Sequence, residues 1–367
     1  MNTPDARIML VHDLIEHERW ATARALGALR SIPRGIAAHD TSSLPDDPHA
    51  TRARGILGHI CQARHLWLSR LGGIAPRPFD MFPAWSAGQI AQDAASLDDA
   101  WLAWLQQSAD TAARNANPLD RAVRYSSLDG KHFESSAEEI AAHVHNHGAY
   151  HRGQVARLTK LAGGSPARTD FITDREIDPA APLPAWRTAA LDHPPGHAPR
   201  ALATVLEQAQ RAETWATNLA IDSLRSVPEA HESCPEMSRA RGILAHIQET
   251  RHHWLAILGA IDPLPCQLGF AERPIPDSAA RAAELDTRWA AFLARISDAD
   301  LAGVREQSFN NRPYRRLTRD IIVHVLLHGS YHRGQIAMLV THAGGKRQST
   351  DLIGFTRRSM PTAPGPV

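Results

Sequence analysis

Two stretches of this chain concentrate residues able to bind a metal ion: HVHNHGAYHRGQVARL, His143 to Leu158, and its near copy HVLLHGSYHRGQIAML, His324 to Leu339. On a helix, Ile140, Val144, His147, His151, Val155 and Leu158 fall within about 80° of arc. Ile321, Val325, His328, His332, Ile336 and Leu339 repeat that spacing. The face is apolar and therefore looks into a core, with two imidazoles one turn apart at its centre. An inward His pair at i, i+4 brings two ring nitrogens within reach of one metal ion. A pair of hydrogen-bonded core histidines satisfies the same pattern, and one HxxxH does not separate the two readings.

A third ligand makes the metal reading concrete, and the preceding helix supplies it. With Ile56, Ile60, Ala63 and Trp67 as its inner stripe, His59 lies at the edge of that stripe and His65 points away. His246 and His252 hold the same two positions in the second half, so His59 and His246 are the inward ones, and His65 and His252 are expected in solvent. Three imidazoles leave a tetrahedral ion one open position, the mark of a reactive rather than a structural site. His143 and His324 lie off the inner face, as partners of the ligands or on the surface. Gln154 and Gln335 lie nearer it and are candidates to line the open position and bind a cofactor. Arg152 and Arg333 are expected to point outward into ion pairs.

The elements that must position these residues repeat. RARGILGHI (Arg52–Ile60) recurs as RARGILAHI (Arg239–Ile247), and the His-rich helix recurs in turn, so the chain is a tandem duplication of a domain-sized unit. Each half reads as four helices, near residues 5–30, 51–71, 87–110 and 136–162, then 199–224, 238–259, 278–297 and 316–342. Ser86 and Asp277 are the expected caps of the third helices, and Ser135 to Glu138 reads as a capping box. Leu97, Trp101, Trp104 and Leu105 form one inner face, with Leu285, Trp289, Phe292 and Ile296 its counterpart. Asp129-Gly130 marks a hairpin before helix four. Asn310-Asn311-Arg312-Pro313 stands there in the second half, where the hairpin is expected to be shortened or missing. The domains are expected at 1–175 and 199–358, with a Pro-rich linker at 176–198 and a frayed tail at 359–367.

Composition removes several function classes. With 40 basic and 39 acidic residues the net charge is +1, which offers no field for nucleic acid or an anionic membrane. No apolar run approaches a membrane span. The three cysteines, Cys61, Cys234 and Cys266, form no CxxC pair, and a reduced, cytoplasmic protein is expected. Neither His motif is HExxH, which argues against a zincin-like peptidase.

HVHNHGAYHRGQ and HVLLHGSYHRGQ, together with GILGHI and GILAHI, the Trp-Ala of helix one, and the Asp-Phe-Ile or Asp-Leu-Ile after each Gly-Gly pair, resemble the DinB/YfiT-like metal-binding four-helix bundles. The resemblance covers both halves. It implies an all-α fold of two tandem up-up-down-down bundles with a divalent metal at His59, His147 and His151 and another at His246, His328 and His332. Zinc is the default ion, with nickel or iron as alternatives. It also implies a metal-dependent transferase that uses a low-molecular-weight thiol and a small-molecule substrate. A non-catalytic metal-binding stress-response protein and a metal-dependent hydrolase are the alternatives. Single-domain relatives tend to pair as homodimers, so a tandem chain is expected to be a monomer with an intramolecular pseudo-dimer.

Overall fold

A computed structural model describes residues 5–33, 47–112, 117–175, 201–263, 269–309 and 312–360. The expected linker at 176–198 lies outside the described residues. In the first half run α1 (Ala6–Ala28), α2 (Pro48–Arg70), α3 (Ala87–Ala112), β1 (Ala122–Ser126), β2 (His132–Ser136) and α4 (Ala137–Leu161), followed by the short α5 (Phe171–Asp174). The second half runs α6 (Ala201–Arg225), α7 (Pro235–Ile257), α8 (Ile275–Leu293), α9 (Asp298–Ala302), β3 (Val304–Phe309), β4 (Arg312–Leu317) and α10 (Thr318–His342). The short α11 (Leu352–Thr356) and β5 (Arg358–Ser359) follow. The fold is all-α, two tandem bundles with small hairpins, and no described helix is long and apolar enough to cross a membrane.

Local chemistry sets the helix ends. The Asp47 carboxylate accepts from the His49 and Ala50 amides at 2.8 and 2.9 Å, and Pro48 opens α2, so the helix begins before residue 51. Ser86 and Gln89 cap the start of α3 reciprocally. The capping box of α4 joins Ser136 to Glu139, one residue later than Ser135 and Glu138, because β2 continues through Ser135. Asp277 is not a cap: α8 starts at Ile275 after Pro274, which places Asp277 inside the first turn. There its charge still favours the positive end of the helix.

The second hairpin is present, with a shortened connection rather than missing. β3 and β4 pair from Val304–Leu317 to Phe309–Arg312, which leaves a two-residue connection, whereas Ser126–His132 encloses five residues in the first half. A proline is accepted near the end of a two-stranded ribbon, where Pro313 pairs with Ser308. In the longer first turn Gly130 takes the left-handed conformation, at φ 80°.

The compact units do not follow chain order. One holds the described residues within Ile8–Arg168 and Asp351–Val367, and the other those within Met1–Arg7 and Thr169–Thr350. In the first of these, α11 lies against α4, and β5 adds a third strand to β2 through Phe133–Ser359 and Glu134–Arg358. Ser359 and Met360, expected in a frayed tail, are thus held by the sheet, with the Met360 amide donating to the His132 carbonyl at 3.0 Å. In the second unit α5 lies against α10, and Arg316 Nε reaches the Ile172 carbonyl at 3.5 Å. The segment after helix four of each half therefore packs with the bundle built by the other half.

Buried ion pairs fix the helices in each bundle. Arg64 of α2 meets Asp98 of α3 at 2.5 Å, and Arg251 of α7 meets Asp286 of α8 at 2.6 Å. Arg152 of α4 meets Glu18 of α1 at 2.6 Å, and Arg333 of α10 meets Glu213 of α6 at the same distance. Arg152 and Arg333 are buried, not outward, because each carboxylate partner lies inside the bundle. Gly148 and Gly329 make room for those carboxylates. A Cβ at Gly148 would stand 2.6 Å from Glu18 Oε2, and one at Gly329 would collide with Glu213 Oε1.

Candidate metal centres

The ion pairs orient the site as well as the fold. Arg152 follows His151 directly, so anchoring it to α1 sets the rotation of α4 and aims His147 and His151 at α2. Ile140, Val144, Val155 and Leu158 on the same face are buried, and so are their counterparts Ile321, Val325, Ile336 and Leu339. From α2, the His59 Nε2 lies 3.2 Å from the His147 Nε2, and in the second unit His246 and His328 stand at the same separation. His147 and His151 have ring centroids 4.3 Å apart, and His328 and His332 4.4 Å apart. In each triad one ring nitrogen per residue lies within 4.8 Å of the other two. Those six histidines are brought together as two threefold groups, as their spacing predicts.

The donor sets suit a divalent ion. Two imidazoles on one tetrahedral zinc place their nitrogens about 3.3 Å apart, given bonds of about 2.0–2.1 Å. His151 Nδ1–H donates to Gln154 Oε1 at 2.8 Å, and His332 Nδ1–H donates to Gln335 Oε1 at 3.0 Å. That bond holds the tautomer whose Nε2 keeps its lone pair for a metal. Gln154 and Gln335 thus place their amide oxygens against the ligands. Burial, reinforced by neighbouring imidazoles, drives the His147 and His328 pKa values well below the ordinary range. Burial and His246 bring His332 down to about 3, against a smaller opposing effect of Gln335. Burial also lowers His59. Neutral imidazole is the form a metal binds, and these histidines are held in it.

Other histidines are buried as well. His143 Nδ1 lies 2.8 Å from Asp351 Oδ1, and the His143 ring meets Trp67 edge-on at 5.1 Å. Burial would lift the Asp351 carboxyl, but His143, with His151 and His59 farther off, holds it below the usual range. His324 is buried against Trp254 at 5.5 Å. His252, expected in solvent, is buried at 4% exposure, while His65 is half-buried with its Nε2 3.0 Å from the Ala75 carbonyl.

The outer wall of each centre is aromatic. Phe82 and Phe79 lie 5.4 and 6.3 Å from the His59 ring, and Phe270 lies 4.4 Å from His246 and 6.0 Å from His332. Phe82 and Phe270 are exposed large apolar residues. Sequence reasoning missed these rings, Glu18 and Glu213, and Asp351. For the glutamates a signal existed: Glu18-Arg-Trp-Ala-Thr and Glu213-Thr-Trp-Ala-Thr share Glu-x-Trp-Ala-Thr.

Comparison with known proteins agrees with the duplication. The profile of the DinB family matches residues 1–186 and again 198–362. Protein DinB of Bacillus subtilis (strain 168) is 22% identical over 167 residues, covering 43% of this chain and 89% of that protein. No solved structure matches the chain.

Proposed function

This chain belongs to the DinB family, and on that premise we propose that it is a metal-dependent transferase acting on a low-molecular-weight thiol, with one centre in each unit. The observation that carries the reading is the pair of three-histidine sets, His59, His147 and His151, and His246, His328 and His332, each with its ring nitrogens within 4.8 Å of one another. A divalent ion held by these histidines would supply a Lewis acid that favours the deprotonated form of a thiol. Among the described residues no cysteine belongs to either triad, and Cys61 is buried with its thiol pushed up to about 12, which favours a separate molecule as the source of the nucleophilic sulfur.

The residues of the chain would do the rest. Gln154 and Gln335 hold the ring orientation of His151 and His332. The Glu18–Arg152 and Glu213–Arg333 pairs keep helix four from rotating the ligands out of register. Phe79, Phe82 and Phe270 shield the ligands from water. Asp351, which meets His143 at 2.8 Å, would accept a hydrogen bond from a molecule bound in the first centre. Asp170 holds the equivalent sequence position for the second.

The test is a screen of metal-reconstituted protein with thiols and electrophiles, together with absorption of the cobalt form. A transferase shows thiol-dependent turnover, a thioether product and a thiol-dependent cobalt spectrum. Turnover without added thiol would replace this reading with a hydrolase, and metal binding with no turnover would leave a non-catalytic metal-binding protein.

A further inference from the structure

Each centre carries a cation that neither the ligand set nor the ion-pair framework explains. Arg52 sits two turns before His59 on α2, and Arg239 sits two turns before His246 on α7. The Arg52 guanidinium lies 4.4 Å from the centre of the Phe82 ring, which itself packs on His59. The Arg239 guanidinium lies 4.0 Å from the centre of Phe270, which packs on His246 and His332. The same Arg–Phe–His stack is therefore built twice, from a helix and a separate loop each time.

The side chains are exposed, and each guanidinium lies over a ring that packs on the ligands. Every other arginine named above around the ligands meets a carboxylate: Arg64, Arg152, Arg251 and Arg333. Among the described residues no carboxylate pairs with Arg52 or Arg239. A guanidinium over the face of an aromatic ring can keep its edge donors available, and that fork matches a carboxylate. Partial burial lowers the Arg239 pKa, so an anion arriving there meets a donor already stripped of some water.

The geometry points to Arg52 and Arg239 as specificity residues that bind a carboxylate on the small molecule taken by each centre. This rests on the thiol reading for the identity of that molecule, and it narrows the class to carboxylate-bearing thiols over neutral ones. The arginine would grip the carboxylate at the mouth while the sulfur reaches toward the histidines. Phe82 or Phe270 would hold the guanidinium over its face beside the ligands.

The test uses the full-length cobalt-loaded chain and three probes: 3-mercaptopropionate, 2-mercaptoethanol and propionate, followed by cobalt absorption and calorimetry. The expected result is that 3-mercaptopropionate binds at least about tenfold more tightly than 2-mercaptoethanol, the scale of one charge-assisted pair. The Arg52→Ala/Arg239→Ala double variant should bring that ratio close to one while leaving metal content and 2-mercaptoethanol affinity unchanged. Arg52→Lys/Arg239→Lys should recover only part of the preference, because an ammonium lacks the planar fork. A preference that survives in the alanine variant, or a wild-type ratio near one, overturns the inference while leaving thiol binding intact. If neither thiol alters the cobalt spectrum, the thiol reading fails, and propionate decides alone. Calorimetric binding of propionate that the alanine variant loses supports the arginine site, and no binding by the wild type overturns it.

Discussion

Replacing Glu18 tests whether the buried ion pair organises the first unit. The Glu18 and Arg152 side chains are 0% and 1% exposed and meet at 2.6 Å, so removing the carboxylate strands a guanidinium in the bundle. Losing one partner of a buried pair costs about 3–5 kcal/mol. The proton equilibrium offers an independent figure. Burial by itself would raise the Glu18 pKa, but Arg152, Arg64 and His145 outweigh it and bring it from 4.5 to about 2. That depression corresponds to roughly 3 kcal/mol. The sign follows from proton uptake. Between pH 4.5 and about 2 the unfolded carboxyl binds a proton that the folded one does not. The contribution is therefore complete above pH 4.5 and is lost as pH falls toward 2. Urea unfolding of metal-free Glu18→Gln should show the transition of the unit holding residue 18 weakened by about 3 kcal/mol at pH 7, with the gap to wild type narrowing at pH 3. A Glu18→Leu/Arg152→Met pair should cost far less than Glu18→Leu alone, since an apolar pair strands no charge. A gap under about 1 kcal/mol at pH 7, or one that does not change with pH, would refute the argument.

Further outcomes follow from the same geometry. Reconstituted chain should hold two divalent ions by elemental analysis, His147→Ala or His328→Ala about one, and the double variant none. In metal-free protein the His332 pKa of about 3 lies below the unfolded value of 6.5, so the unfolded state binds more protons and stability should fall as pH drops below 6.5, as measured by melting. In a chain whose second triad is removed by His328→Ala, Asp351→Ala should weaken metal binding at the first triad, read by competition with a chelator, whereas Asp170→Ala should not. Cys61 should resist a thiol reagent until the chain unfolds, because its buried thiol stays protonated up to about 12.

What could be read from the sequence is what short-range geometry determines. The 3.6-residue period placed Ile140, His147, His151 and Val155 on one face, and the duplication supplied the same face a second time. Because His59 sits on the edge of its own apolar stripe, both triads could be assembled from two helical periods. The rest depends on chain segments far apart in sequence. Glu18 had to come within 2.6 Å of Arg152 before either the burial of that arginine or the glycine at 148 made sense. The β3–β4 hairpin is decided by pairing across the strands, which outweighs a proline in the sequence beside the turn. The exchanged placement of α5 and α11, which sets Asp351 beside His143, leaves no local trace. A residue's period is inherited from its neighbours along the chain, whereas its electrostatic partner is chosen by where the whole chain comes to rest. The tertiary structure therefore decided which charges meet, which glycines are indispensable, and which half of the chain completes each bundle.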